Sequence, residues 1–154
     1  MNMKKKLFLN DYVEIANIHA ARLTEALNEV LKFYPTTSSM FANFTKEDIA
    51  YLDMLTYRFG KLQDILGTKI FPLILESLSE DALSFIDKLN RLEKLNIIDD
   101  ANWWVELRIT RNQITHDYPN DYELLSDHFN SIIPKIKQLL SSWKNLQLYI
   151  AKLP

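Results

Sequence analysis

Glycine occurs at only two positions in this 154-residue chain, Gly60 and Gly67, and that scarcity removes most of the architectures otherwise open to it. A Walker loop, a dinucleotide-binding fingerprint and a nucleophile elbow each need glycines at fixed spacing. The turns of β-rich folds draw on glycine as well. None of these can be assembled here, and the glycine-serine signature and paired aspartates of a nucleotidyltransferase are missing too. Cysteine is absent, which excludes disulfides, thiolate metal sites, iron–sulfur clusters and cysteine nucleophiles.

The length suits one ordinary domain, 1-154, burying roughly 70% of the surface that its unfolded form exposes. With 47% hydrophobic and 25% charged residues, the composition is that of a folded globular protein and not of a disordered one. Eighteen basic side chains against twenty acidic ones leave a net charge of −2. A strongly basic nucleic-acid coat is therefore excluded, but a local basic site is not. The basic start, MNMKKKLFLND, carries only Leu7, Phe8 and Leu9 as an apolar stretch, too short for a signal peptide. No window approaches the ~18 apolar residues of a membrane span. A soluble, cytoplasmic protein is expected.

The apolar residues recur at helical spacing. Tyr12, Ala16, His19, Leu23, Ala26, Leu27 and Val30 form one stripe between Asp11 and Tyr34. Residues 35–43, rich in turn formers, read as a loop. Thr45 with Asp48 resembles a capping box, and opens a helix striped by Leu52, Leu55, Phe59, Leu62 and Leu66. Pro72 is expected to kink or end it near Ile70. Ser79 is expected to cap a third helix with the stripe Leu83, Ile86, Leu89, Leu92 and Leu95. Asp99 or Asp100 caps a fourth, from about Ala101 to about His116, which Pro119 stops. Asp121 opens the last, with the stripe Tyr122, Leu125, Phe129, Ile132, Ile136, Leu139, Trp143, Leu146 and Ile150; Pro134 lies opposite it. The expectation is an all-α fold, an antiparallel up-and-down bundle of about five helices.

Three histidines are present. His19, on the first stripe, is expected to be a core or interface residue with one hydrogen bond, and His128 a surface or boundary residue. Neither has a second histidine three or four positions away, so no helical metal pair exists. Asp117, Asp121, Glu123 and Asp127 near His116 and His128 match no calcium loop. No metal and no cofactor is expected.

His116 differs in its company, RITRNQITHDYPND. Asn112 lies four residues before it and shares its helical face. Arg111 lies five before, about 140° around the axis, at the border of that face. Tyr118 precedes Pro119 and is biased to an extended conformation. The cluster joins a permanently charged fork donor, an amide, a group titrating near neutrality and a phenol. Spacing alone also fits a plainer arrangement: Arg111 paired with Asp117 or Asp121, a surface histidine and a packed tyrosine.

Arg111-Asn112, three residues, His116, one residue and Tyr118 resembles the motif of HepT-like HEPN-domain ribonuclease toxins. HEPN is the nucleotide-binding domain shared by higher eukaryotes and prokaryotes. The stretch from Tyr57 to Phe71 (YRFGKLQDILGTKIF) is similar to the YRF-x-KLQD-x-x-G-x-K-[LI]-F run in the second helix of that family, long described as substrate-binding partners of minimal nucleotidyltransferases. The resemblance implies metal-independent RNA cleavage by a homodimer, with Arg111, Asn112 and His116 catalytic in a composite R-x4-H site. It also implies a cognate minimal nucleotidyltransferase that acts as antitoxin by attaching AMP to Tyr118. The alternative is a non-catalytic substrate-binding subunit of that nucleotidyltransferase. Arg58, Lys61, Gln63 and Asp64 are the polar members of the second run. Asp64 is a candidate to hold Arg111 in place; otherwise the four form a solvated helix face.

Overall fold

The computed structural model describes residues 2–81, 84–114 and 121–154, with only the backbone of Ile114. Among the described residues there are six helices and no strand. They are α1 (Met3–Val30, continued by a 3-10 turn, Leu31–Phe33), α2 (Ser38–Asn43), α3, α4 (Phe85–Lys94), α5 (Ala101–Ile114) and α6 (Tyr122–Ile150). α3 is one continuous helix in three parts: Lys46–Ile65, a π turn at Leu66–Ile70, and Phe71–Ser77.

Four long helices form the bundle, and side-chain pairs fix their directions. Lys5 meets Glu76, Lys69 lies over Tyr12 and Arg58 meets His19, so α1 and α3 run antiparallel. Gly60 faces Arg111 while Phe71 packs edge-on against Trp104, so α3 and α5 do too. Lys135 bonds Thr110 from α6, and the Trp143 indole donates to Asn17 of α1. The cyclic order is therefore α1, α3, α5, α6. Between them lies a contiguous core that includes Leu23, Leu55, Phe59, Leu62, Ile70, Leu107, Ile136 and Leu139, all fully buried. Burying such a side chain contributes about 1.5–3 kcal/mol, and the expected stripes of α1, α3 and α6 supply most of it.

The structure departs from the sequence reading at several element ends. α1 begins at Met3, with Asn2 accepting from the Lys5 N–H as cap, and not near Asp11. Burial of Leu9 and the Lys5–Glu76 pair tie down a turn whose basic residues oppose the helix dipole. The expected loop contains α2, because Phe41 and Phe44 find an aromatic cluster with Phe33, Tyr122 and Phe129. Pro72 does not end α3. The N–H of Phe71 bonds the carbonyl of Leu66 five residues back, and the widened turn places Pro72 at the start of a new α segment, where no N–H is needed.

Ser79 is not the cap of the next helix. It adopts φ 55° beyond α3, where the N–H of Glu80 bonds the Leu75 carbonyl and that of Ser79 bonds Glu76, a Schellman ending. Ser84 is the cap of α4, in a reciprocal box with Asp87. That start turns Phe85, Leu89 and Leu92 toward the protein and leaves Ile86 exposed, against the expected stripe; Leu83 lies outside the described residues. Asp100, of the two candidates, caps α5 by accepting from the Asn102 N–H. Asp121 caps α6 as expected. No described helix is long and apolar enough to cross a membrane.

Candidate functional site

The phase of α3 sets the site. Tyr57, Lys61 and Asp64 lie at i, i+4 and i+7, so they form one ridge about 10 Å long on a single face. Gly60 is on one flank of that ridge, where α5 packs, and Arg58 is on the other, where α1 packs. Both flanks bring a partner to the ridge.

On the α5 flank, the stem of Arg111 lies across Gly60; a Cβ at position 60 would sit 3.6 Å from its Cγ, an ordinary contact. One terminal nitrogen donates to Asn112 Oδ1 at 3.1 Å, and the other lies 3.8 Å from Asp64 Oδ1. The Asp64 pair is long and its members are 32% and 44% exposed, so it guides the guanidinium but stabilises the fold little. The preceding residue behaves differently. Thr110 is buried, bonds the Glu106 carbonyl and accepts from Lys135 of α6 at 2.8 Å. α5 is thus fastened on one side directly next to the arginine it presents on the other.

On the α1 flank, an Arg58 terminal nitrogen lies 3.0 Å from His19 Nδ1. Because a guanidinium only donates, Nδ1 accepts and the imidazole carries its proton on Nε2 when neutral. Burial first, then Arg58 and Lys61, push the His19 pKa below its ordinary value. His19 is therefore the half-buried interface residue expected, bonded to a partner that its stripe position did not identify. The same Arg58 lies 5.3 Å from the Tyr57 ring centroid and Lys61 lies 5.6 Å from it, within cation–π range. Arg58 and Lys61 are more than a solvated helix face: one fastens α3 to α1, and both flank an aromatic ring. Gln63 is buried among the core side chains.

His116 and Tyr118 lie outside the described residues, as do Asp117 and Pro119. Of the expected cluster, the structure brings Arg111, Asn112 and Asp64 together. The plainer pairing of Arg111 with Asp121 does not occur: Asp121 accepts the Leu124 N–H. His128 is a boundary residue, half-buried on α6, with its pKa lowered by burial and then by Lys135. Among the described residues, no three His, Asp or Glu side chains gather as metal ligands.

Charge separates this face from the cavities elsewhere. A cavity of about 80 Å³ between the start of α5 and α6 is lined by Trp103, Trp104, Asp99 and Asp100 and by no cation. Another, near the ends of α1 and α3, sets Glu29, Glu47 and Asp48 against Lys32. Around the α3 ridge, Arg58, Lys61 and Arg111 stand with Asp64, and Asp53 lies one turn before Tyr57 on the same face. Such a surface can hold phosphate oxygens bidentately through arginine and offer an aromatic face beside them. No protein family, curated protein or solved structure matches the chain.

Proposed function

We propose that the chain is a metal-independent endoribonuclease, the toxin of a HEPN/minimal-nucleotidyltransferase pair, acting as a cytoplasmic homodimer. The observation that carries this reading is the setting of Arg111. Its stem crosses Gly60 and its guanidinium lies beside Asp64 of α3 and donates to Asn112, five residues before His116 in the sequence.

The chemistry follows from what these groups can do. A base takes the proton from the RNA 2′-hydroxyl, whose oxygen forms a bond to the adjacent phosphorus. The bond from phosphorus to the 5′-oxygen breaks, an acid protonates that oxygen, and a 2′,3′-cyclic phosphate and a 5′-hydroxyl remain. His116 supplies the proton transfers. Arg111 bears the charge of the crowded phosphorane, and Asn112 orients the guanidinium. Each chain contributes one such histidine, so two copies facing each other across a two-fold cleft supply both the acid and the base. AMP attached to Tyr118 by the partner nucleotidyltransferase would place a phosphate where substrate phosphate belongs, which is how the partner silences the toxin.

The test is cleavage of RNA by the purified protein in EDTA. The expected result is a ladder ending in cyclic phosphates, abolished by His116→Ala. Binding of RNA without cleavage by the unaltered protein would overturn the nuclease reading in favour of a substrate-binding subunit.

A further inference from the structure

The Arg111 cluster accounts for only one end of the α3 ridge. At the other end Tyr57 is 56% exposed, the most open aromatic side chain among the described residues, ahead of Phe8 and Tyr122 at 44%. Arg58 and Lys61 lie over its ring, 5.3 Å and 5.6 Å from the centroid. Arg58 is itself pinned by His19 of α1, so this cation is held in place beside the ring instead of sweeping through solvent. Lys61 then lies between Tyr57 and Asp64 on the same line, and Asp64 leads to Arg111.

We propose that Tyr57 is a stacking platform for one unpaired base of a single-stranded RNA, with Arg58 and Lys61 holding the phosphates on either side of that nucleotide. The strand runs along the ridge from Tyr57 toward Arg111. The ridge is about 10 Å long, room for one or two further nucleotides between the stacked base and the arginine. A flat ring beside cations is the chemistry that single-stranded nucleic acid uses, because every base has a face to stack and every linkage a charge to neutralise. A duplex keeps its bases inside and cannot use the ring. The inference rests on the RNA reading above and adds the residue that selects unpaired strand.

The experiment uses the cleavage-deficient His116→Ala full chain and a ten-nucleotide RNA, read by fluorescence anisotropy, together with the same RNA carrying 2-aminopurine at successive positions. The expected results are quenching of 2-aminopurine at one position and a loss of affinity of about 5- to 150-fold on Tyr57→Ala. Tyr57→Phe retains binding within about twofold and retains the quenching. Because Tyr57 is exposed, the variants keep the thermal midpoint of the parent. Equal affinity and equal quenching in Tyr57→Ala overturn the platform even if the chain cleaves RNA. Duplex RNA bound as tightly as single strand, or no RNA bound at all, also overturns it. If the unaltered chain never cleaves RNA but Tyr57→Ala loses binding and quenching, the platform stands and the nuclease reading falls.

Discussion

The two glycines of α3 are seven residues apart on nearly the same flank, and they occupy opposite kinds of surroundings. At Gly60 a side chain would meet only the flexible stem of Arg111 at an ordinary distance. At Gly67 a Cβ would come within 3.2 Å of the Phe85 ring, which is also capped by the Arg108 guanidinium 4.4 Å from its centroid. Around Gly67 the chain is specified by packing. Around Gly60 space is left over, and what matters is the charged group that borders it.

That contrast can be broken by substitution. On the open side, Arg111→Ala should lower RNA cleavage by about 10²–10³-fold, the usual loss for one transition-state charge partner. Its thermal midpoint should stay within about 1 °C of the parent, since the Asp64 pair it removes is long and half-exposed. A large fall in the midpoint would show that Arg111 is structural.

On the packed side the order reverses. Gly67→Ala gains about 1 kcal/mol of helix propensity but forces Phe85 against Arg108, an overpacking that costs about 1–3 kcal/mol. The net expectation is a loss of about 1 kcal/mol, or a midpoint lower by about 2–4 °C by circular dichroism. Gly60→Ala meets no such obstacle and should raise the midpoint, by up to about 1 kcal/mol of stability. Equal responses at the two positions would remove the distinction.

The smallest effect is on pH dependence. His19 borders the open face and His128 lies on α6, and both have pKa values lowered in the fold, mainly by burial. In the unfolded chain each titrates near 6.5. Between that value and the lower folded one, the unfolded chain binds more protons. The stability these groups leave intact above about pH 6.5 is therefore lost as the pH falls through their folded-state values. His128→Gln should flatten the decline of the denaturation midpoint between about pH 7 and pH 5. His19→Gln should flatten it too, and also free Arg58, sharpening which histidine supports the ridge.

Much of the bundle was legible because its signals are local. The stripes Leu52, Leu55, Phe59, Leu62, Leu66 and Phe129, Ile132, Ile136, Leu139, Trp143, Leu146 are buried as their period requires. The boxes at Thr45 and the cap at Asp121 close within three residues of themselves. Ser79 misled for the same reason: a serine before acidic residues reads as a cap, but its backbone was already committed to ending α3. The sequence reading did not single out Tyr57, the residue proposed to stack a base. Its place beside two cations was the available signal, a basic and aromatic interleaving within one helical turn.

The sequence by itself determined the helical class, the buried stripes and the absence of glycine-built phosphate loops, since each depends on hydrogen bonds and periodicities contained in short windows. The tertiary structure decided that Arg58 reaches His19 thirty-nine residues away, that Arg111 turns to Asp64 and not to Asp121, and that Pro72 follows a π turn instead of ending its helix. Those outcomes depend on how far each helix is rotated against its neighbours, and that rotation is set only when the whole core packs at once.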